Sequence, residues 1–142
     1  MIVPDLNLLI YAINEESKHH DNARQWWESV VNGTVDVGLP WVVLLGFLRL
    51  TTSPRVFSSP LAPSTVWELI DAWLDQPGCY PIGVGPRHYQ ILKTLTVEHG
   101  TVGNLTTDAH LAAMCIDHNA VLHTADNDFA RFTALRWRNP LT

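Results

Sequence analysis

The chain has 142 residues, 46% of them hydrophobic and 16% charged, with a formal net charge of −5. One domain of this length buries a sizeable core, and so apolar a composition excludes a disordered chain. The acidic balance excludes a general nucleic-acid sleeve, yet suits an enzyme that keeps a patch of carboxylates for a cation and acts on a phosphodiester.

Met1 to Pro4 is a short apolar strand that reaches Asp5 at once, with no basic signal region. Leu6, Leu8, Leu9, Ile10, Tyr11 and Ile13 open a helix. Glu15 to His20 is polar and breaks it. Ser17 or Asp21 then caps a second helix, with Trp26, Trp27, Val30 and Val31 at helical spacing. Asn32-Gly33 stops it, and Val35, Val37 and Leu39 alternate as a strand from Thr34 to Leu39. Pro40 starts a helix to about Leu50 that is apolar nearly all round, which predicts burial. The apolar run from Leu39 to Leu50 holds Pro40, Gly46 and Arg49, and is too short and interrupted to span a bilayer.

Thr51 to Pro63 is a proline-rich loop. Ser64 caps a helix carrying Val66, Trp67, Leu69, Ile70, Trp73 and Leu74, ended by Gln76-Pro77-Gly78. Cys79 to Val84 is a third strand. Pro86 opens a helix through Tyr89, Leu92, Leu95 and Val97, stopped by Gly100. A loop from Thr101 to Leu105 leads into a helix from Thr107 to about His118. Ala120 to Thr124 is a fourth strand, Phe129 to Phe132 one helical turn, and Leu135 to Arg138 a last strand. No repeat or linker divides residues 1–142, so a single domain is expected. Cys79 and Cys115 read as reduced, packed thiols of a cytoplasmic protein. The seven histidines fall in no zinc-binding pattern.

Strands alternating with helices imply an α/β fold with a mostly parallel sheet, whose ligands sit at the carboxyl edge of the strands. Asp5 ends the first strand, Asp126 and Asp128 follow the fourth, and Asp108 opens a crossover helix on that same edge. Taken singly, Asp5 is an N-cap, Asp108 complements a helix dipole, and Asp126-Asn127-Asp128 is an Asx-type turn. Together they aim carboxylates from three segments at one rim. Such oxygen ligands suit Mg²⁺ or Mn²⁺, which polarises a phosphoryl oxygen and acidifies a bound water. Asn7 either orients Asp5 or a metal-bound water, or is a surface residue. Thr124 either bonds an acid or a phosphate, or merely finishes its strand. His110 reads as a solvent-facing or packed imidazole. Most of the tryptophans belong to the core, with some left for an apolar groove between the early helices or a dimer face. Arg131, Arg136 and Arg138 form either a solvated edge or a phosphate-contacting patch.

Val3-Pro4-Asp5-Leu6-Asn7, the run Asn104-Leu105-Thr106-Thr107-Asp108-Ala109-His110-Leu111-Ala112-Ala113, and Thr124-Ala125-Asp126-Asn127-Asp128-Phe129 together resemble a PIN-domain ribonuclease. The likeness covers essentially the whole chain and is to VapC-type toxins of bacterial toxin–antitoxin pairs, of the kind abundant in mycobacteria. It implies a three-layer α/β/α fold with about five parallel strands in the order 3-2-1-4-5. It further implies a Mg²⁺- or Mn²⁺-dependent endoribonuclease acting on tRNA, rRNA or mRNA, a homodimer, and a cognate antitoxin. Carried over residue by residue, Asp5, Asp108 and Asp126 match three acids of the family's quartet as catalytic residues and metal ligands, with Asp128 as an accessory ligand. The remaining acid, usually a Glu one helical turn before an Arg, is missing. Gly46 stands there, ahead of Arg49, and no carboxylate occurs between Asp36 and Glu68.

Glycine inside a helix costs roughly 1 kcal/mol relative to alanine, and a close helix–sheet contact would account for it. Arg49 either pairs with Asp5 or Asp108, meets the scissile phosphate, or closes a salt bridge at the helix end. The alternative to a working nuclease is a weakened PIN-fold protein that binds RNA or an antitoxin without cutting. A phosphate-receiving regulatory domain ranks last. It wants an Asp after the third strand and a nearby Lys, where this chain has Val84-Gly85 and only Lys18 and Lys93.

Overall fold

The computed structural model describes all residues from Met1 to Thr142. β1 (Ile2–Pro4) leads into α1 (Leu6–Ile13) and α2 (His20–Val31), and β2 (Val37–Pro40) into α3 (Trp41–Thr51) and α4 (Pro63–Leu74). β3 (Cys79–Ile82) leads into α5 (His88–His99) and α6 (Leu105–Asp117); β4 (Val121–His123), a 3₁₀ turn (Asn127–Arg131) and β5 (Arg136–Arg138) complete the chain. The five strands lie in the order β3-β2-β1-β4-β5, every pair parallel. This is the α/β architecture and strand order that the resemblance implied.

The order decides where ligands go. The chain steps outward from β1 to β2 to β3, then returns across β1 to β4. Right-handed crossovers therefore put α1 to α4 on one face and α5 with α6 on the other. The packing agrees: α1 meets α2 and α3, α3 meets α4, and α5 meets α6. The order reverses between β1 and β4, and the segments after those two strands form the crevice.

The sheet is covered on both faces, so its inner strands carry little but apolar side chains: Val3, Val37, Leu39 and Leu122 are all buried. On α6, Ala109, Ala112 and Ala113 are buried beside Leu111, Met114 and Cys115. The three alanines let this helix backbone approach the sheet closely. Burial pushes the Cys115 thiol up to about 12, helped by the charge of Asp5, and the Cys79 thiol to about 11. Both are free and buried, as packed thiols should be. No helix is long and apolar enough to cross a membrane.

Several boundaries differ from the sequence reading. α2 is capped by His19 with no side-chain bond; Ser17 Oγ instead accepts the His19 N–H at 3.1 Å, and Asp21 sits inside the first turn. Ala62 rather than Ser64 precedes α4, because Pro63 takes the first helical position, where a fixed φ and a missing N–H cost nothing. β2 starts at Val37, not Thr34, and β3 stops at Ile82, leaving Val84 exposed. Arg87, not Pro86, precedes α5. α3 is not buried all round: Trp41 and Leu45, one turn apart, are 50% and 57% exposed.

The early tryptophans line no apolar groove: Trp26 borders an open hollow, but one shared mainly with the polar Asn22, Gln25, Ser29 and Arg138. Trp27 and Trp73 are buried edge to face at 5.3 Å, and Trp26 tilts against Trp27 while its indole N–H donates to His123 Nδ1 at 3.0 Å. The cleft that does open beside α1 is walled by Ile13, Phe57 and Leu61 with Glu15 and Glu16.

Candidate carboxylate site at the β1–β4 crevice

Asp5 caps α1 as an isolated Asp after a strand would: its Oδ1 accepts the Leu6 N–H at 2.7 Å. Its other oxygen does something a cap does not need. Oδ2 accepts the Thr124 hydroxyl, at 2.7 Å, from the segment after β4. Thr124 is fully buried, and its Oγ1 also accepts the Asp126 N–H at 3.0 Å. One hydroxyl therefore ties the β1 acid to the β4 acid. Asn7 reaches this same turn rather than Asp5: its Nδ2 lies 3.5 Å from Thr124 Oγ1, and its Oδ1 lies 3.5 Å from the Ala125 N.

Asp126 Oδ1 accepts the Asp128 N–H at 2.9 Å and so opens the 3₁₀ turn, leaving Asp128 exposed. Asp108 stands in the first turn of α6 and is half-buried. The local meanings of cap and turn hold for each acid, and the acids also sense one another. Burial, then the charges of Asp126 and Asp5, push the Asp108 carboxyl up to about 6; Asp128 adds to this and Arg131 opposes it. Burial likewise raises Asp5, the Thr124 and Leu6 bonds hold it down, and Asp126 pushes it up again.

Like charges packed this way raise each other's proton affinity and are relieved by a cation. The donors are all carboxylate oxygens, which fits a hard divalent ion rather than zinc. No three acidic, His or Cys groups stand close enough to form a closed cage. An open set of this kind fits Mg²⁺, which keeps several waters and takes only one or two protein carboxylates.

At Gly46 the reason for glycine lies between helices, not between helix and sheet. A Cβ there would lie 2.5 Å from Leu6 Cδ2, so the Leu6 side chain from α1 occupies the space above Gly46. Arg49 pairs with neither Asp5 nor Asp108. It is exposed, outside all three ion pairs of the chain, and stands at the mouth of a cavity of about 240 Å³ shared with Asp5 and Asp108.

Of the C-terminal arginines, Arg131 Nε donates to the Asp128 carbonyl at 3.0 Å, and Arg136 bonds Asn119 at 2.8 and 2.9 Å. Arg138 stays exposed, lining a separate hollow with Gln25, Trp26 and Leu141. His110 is a packed imidazole, its Nδ1 3.0 Å from His88 Nε2, and burial then His88 hold it below the ordinary histidine range. Asn104 and Thr107, which share the cavity mouth, lie in the run that carried the resemblance but were given no role of their own, and the Trp26–His123 bond carried no signal in the sequence, since it joins distant segments.

A family model for the PIN domain matches residues 2–135. The chain belongs to the PIN-domain family. It is 43% identical over 141 residues to Ribonuclease VapC33 of Mycobacterium tuberculosis, covering 99% of both chains. It is 37% identical over 140 residues to Ribonuclease VapC37 of the same species, covering 99% of this chain and 97% of that one. Among solved structures, VapBC2 from Rickettsia felis, bound to a DNA fragment from its promoter, superposes with a TM-score of 0.70 at 22% identity, covering 98% of each chain. FitAcB from Neisseria gonorrhoeae gives a TM-score of 0.60 at 18% identity, covering 99% of this chain and 98% of that one. These structural likenesses add that the whole chain, not only the motif segments, follows the PIN architecture.

Proposed function

We propose that this PIN domain is the toxin of a type II toxin–antitoxin pair, a Mg²⁺- or Mn²⁺-dependent endoribonuclease that hydrolyses RNA phosphodiester bonds. The observation that carries the reading is the gathering of Asp5, Asp108 and Asp126 at the β1–β4 crevice, where the Thr124 hydroxyl joins Asp5 to the Asp126 turn and the charges of Asp126 and Asp5 raise the Asp108 carboxyl, in a chain 43% identical to a ribonuclease. Asp5, Asp108 and Asp126 would hold the ion, with Asp128 beside them. When bound, it supplies a polarised phosphoryl oxygen and an acidified water.

The chain's own residues then have separable tasks. Thr124 fixes the Asp5 carboxylate in one orientation and clamps the Asp126 turn to it. Asn7 braces that turn from α1. Arg49, exposed and outside any ion pair at the mouth of the cavity that Asp5 and Asp108 line, is free to meet the RNA there. The solved structures this chain resembles are two-protein assemblies such as VapBC2 and FitAcB, which supports a cognate antitoxin as partner, and the exposed Trp41 and Leu45 offer an apolar face for a second copy in a homodimer.

Purified protein should cleave tRNA, rRNA or mRNA with Mg²⁺ or Mn²⁺, stop with EDTA, and lose cleavage in Asp5→Asn while staying folded. Undiminished cleavage by Asp5→Asn would remove the assignment. A second reading, a PIN-fold protein that binds RNA or antitoxin without cutting, is favoured by one feature: hydrocarbon from Leu6 where an acid is expected over Gly46. RNA binding that is metal-free, without cleavage and unaltered by Asp5→Asn would select it.

A further inference from the structure

The Leu6–Gly46 contact changes the character of one wall of the crevice. The cavity has a volume of about 240 Å³, and Asp5 and Asp108 line one side of it. Its apolar lining comes from Leu6, Val42, Val43 and Leu111, on three different helices. Val43 and Leu111 are buried, so this lining is the continuation of the core into the site. An acid at position 46 would put charge against that wall; Leu6 puts methyl groups there instead. Hydrocarbon is a poor neighbour for a hydrated ion or a phosphate, which lose solvation without gaining a partner. It is a good neighbour for a flat, weakly hydrated ring.

The mouth supplies what such a ring needs at its edge. Arg49 presents a guanidinium with no carboxylate partner, and guanidinium planes stack on unstacked bases. Asn104 and Thr107 are exposed there and bring an amide and a hydroxyl. The volume falls below the roughly 300–1,000 Å³ of pockets that take drug-sized ligands, which limits the occupant to one ring system. Proteins that read single-stranded RNA stack splayed-out bases on aromatic rings or guanidinium planes and hydrogen-bond their edges; here Arg49 supplies the plane, Asn104 and Thr107 the edge bonds, and aliphatic side chains the opposite face.

We propose that this cavity is a nucleobase subsite, which takes the base of a nucleotide adjoining the cut bond and so sets where the RNA is cut. The proposal rests on the ribonuclease reading for its role in cleavage, but the binding itself does not need that reading. The base enters against Leu6 and Val42, Arg49 covers its exposed face, and Asn104 and Thr107 meet its edge.

The test has an arm that needs no catalysis. Full-length protein with labelled Leu and Val methyl groups is titrated, in Mg²⁺, with each nucleoside 5′-monophosphate and with ribose 5-phosphate. The methyl signals of Leu6, Val42 and Val43 should move with at least one nucleotide at a concentration about tenfold lower than with ribose 5-phosphate, about 1.4 kcal/mol in affinity. Val42→Phe, which fills the cavity, should abolish the difference. Equal response to ribose 5-phosphate, or no response at these methyls, overturns the proposal. In the second arm, RNA carrying an abasic ribonucleotide at each position flanking the cut should lose about tenfold in kcat/KM at one position only, and Val42→Phe should erase that contrast. Cleavage indifferent to the abasic site at every position overturns the role in cutting. If the methyls respond but no RNA is cut, the ribonuclease reading falls and the base subsite stands.

Discussion

Replacing Thr124 with valine keeps the shape of a fully buried side chain and removes only its hydroxyl. That hydroxyl donates to Asp5 Oδ2 at 2.7 Å and accepts the Asp126 N–H at 3.0 Å. A hydrogen bond to a charged group contributes about 1.5–3 kcal/mol net, and an orphaned buried amide costs about 1–3 kcal/mol. Asp126 is only half-buried, so water takes over much of its amide. The loss should therefore sit near the carboxylate bond alone, about 2 kcal/mol, which lowers Tm by about 4–8 °C for a chain of this size. The site should suffer along with the fold. The Thr124 bond is the largest influence holding the raised Asp5 carboxyl down. Without it Asp5 binds its proton more readily, and half-maximal cleavage should need more Mg²⁺. Thr124→Ser keeps the hydroxyl and should restore most of both. The assays are thermal unfolding in EDTA and a Mg²⁺ titration of RNA cleavage. A valine variant that melts with the wild type and keeps its Mg²⁺ requirement would refute the idea that this hydroxyl joins the two acids.

Asp108 is pushed up to about 6 from an ordinary 3.8, so the fold favours its protonated form. Its contribution to stability is complete below about pH 4 and lost as pH rises through about 6. In EDTA, Asp108→Asn should accordingly melt above the wild type at neutral pH and lose that advantage in acid, and Mg²⁺ should raise the wild-type Tm more at neutral pH than at about pH 5. His123 runs the other way. Burial, then Arg138, lower it from 6.5 to about 4, so the neutral ring is favoured and its contribution to stability is lost as pH falls from about 6.5 towards about 4. His123→Gln should flatten that part of a Tm–pH curve, and an unchanged curve would count against it. Gly46→Ala sets about 1 kcal/mol of gained helix propensity against a Cβ 2.5 Å from Leu6 Cδ2, a crowding that costs about 1–3 kcal/mol. Denaturant unfolding should show the variant neutral to about 2 kcal/mol less stable, relieved by adding Leu6→Ala. Additive effects of the two substitutions would mean that they do not share that space.

Periodicity and punctuation made most of the elements legible. Apolar spacing marked all six helices, and Asn32-Gly33, Gln76-Pro77-Gly78 and Gly100 stopped three of them near where they end. The errors fell where a single residue's local preference met a stronger neighbour. Ser64 lost the capping position because Pro63 already fitted the first turn, and Val84 lies beyond the last register pair, Pro40 with Ile82. The apolar stripe of α3 misled for another reason. Burial of a helix depends on what lies over it, and Trp41 and Leu45 are left half exposed.

The sequence by itself determined an alternating α/β chain and its acids at strand ends and a helix start, because hydrophobic period and chain punctuation are local properties. From the same local information it left Asp5 with two meanings, a cap or part of a site; the fold gives its two oxygens separate partners, the Leu6 N–H for one and the Thr124 hydroxyl for the other. Only the tertiary structure decided that Thr124 joins Asp5 to Asp126, that Asp108 comes near enough to be pushed up to about 6, and that Leu6 rather than an acid fills the space over Gly46. Those are relations between residues far apart along the chain. Their distances are set by the order of the strands and the packing of helices across the sheet, which no spacing in the sequence records.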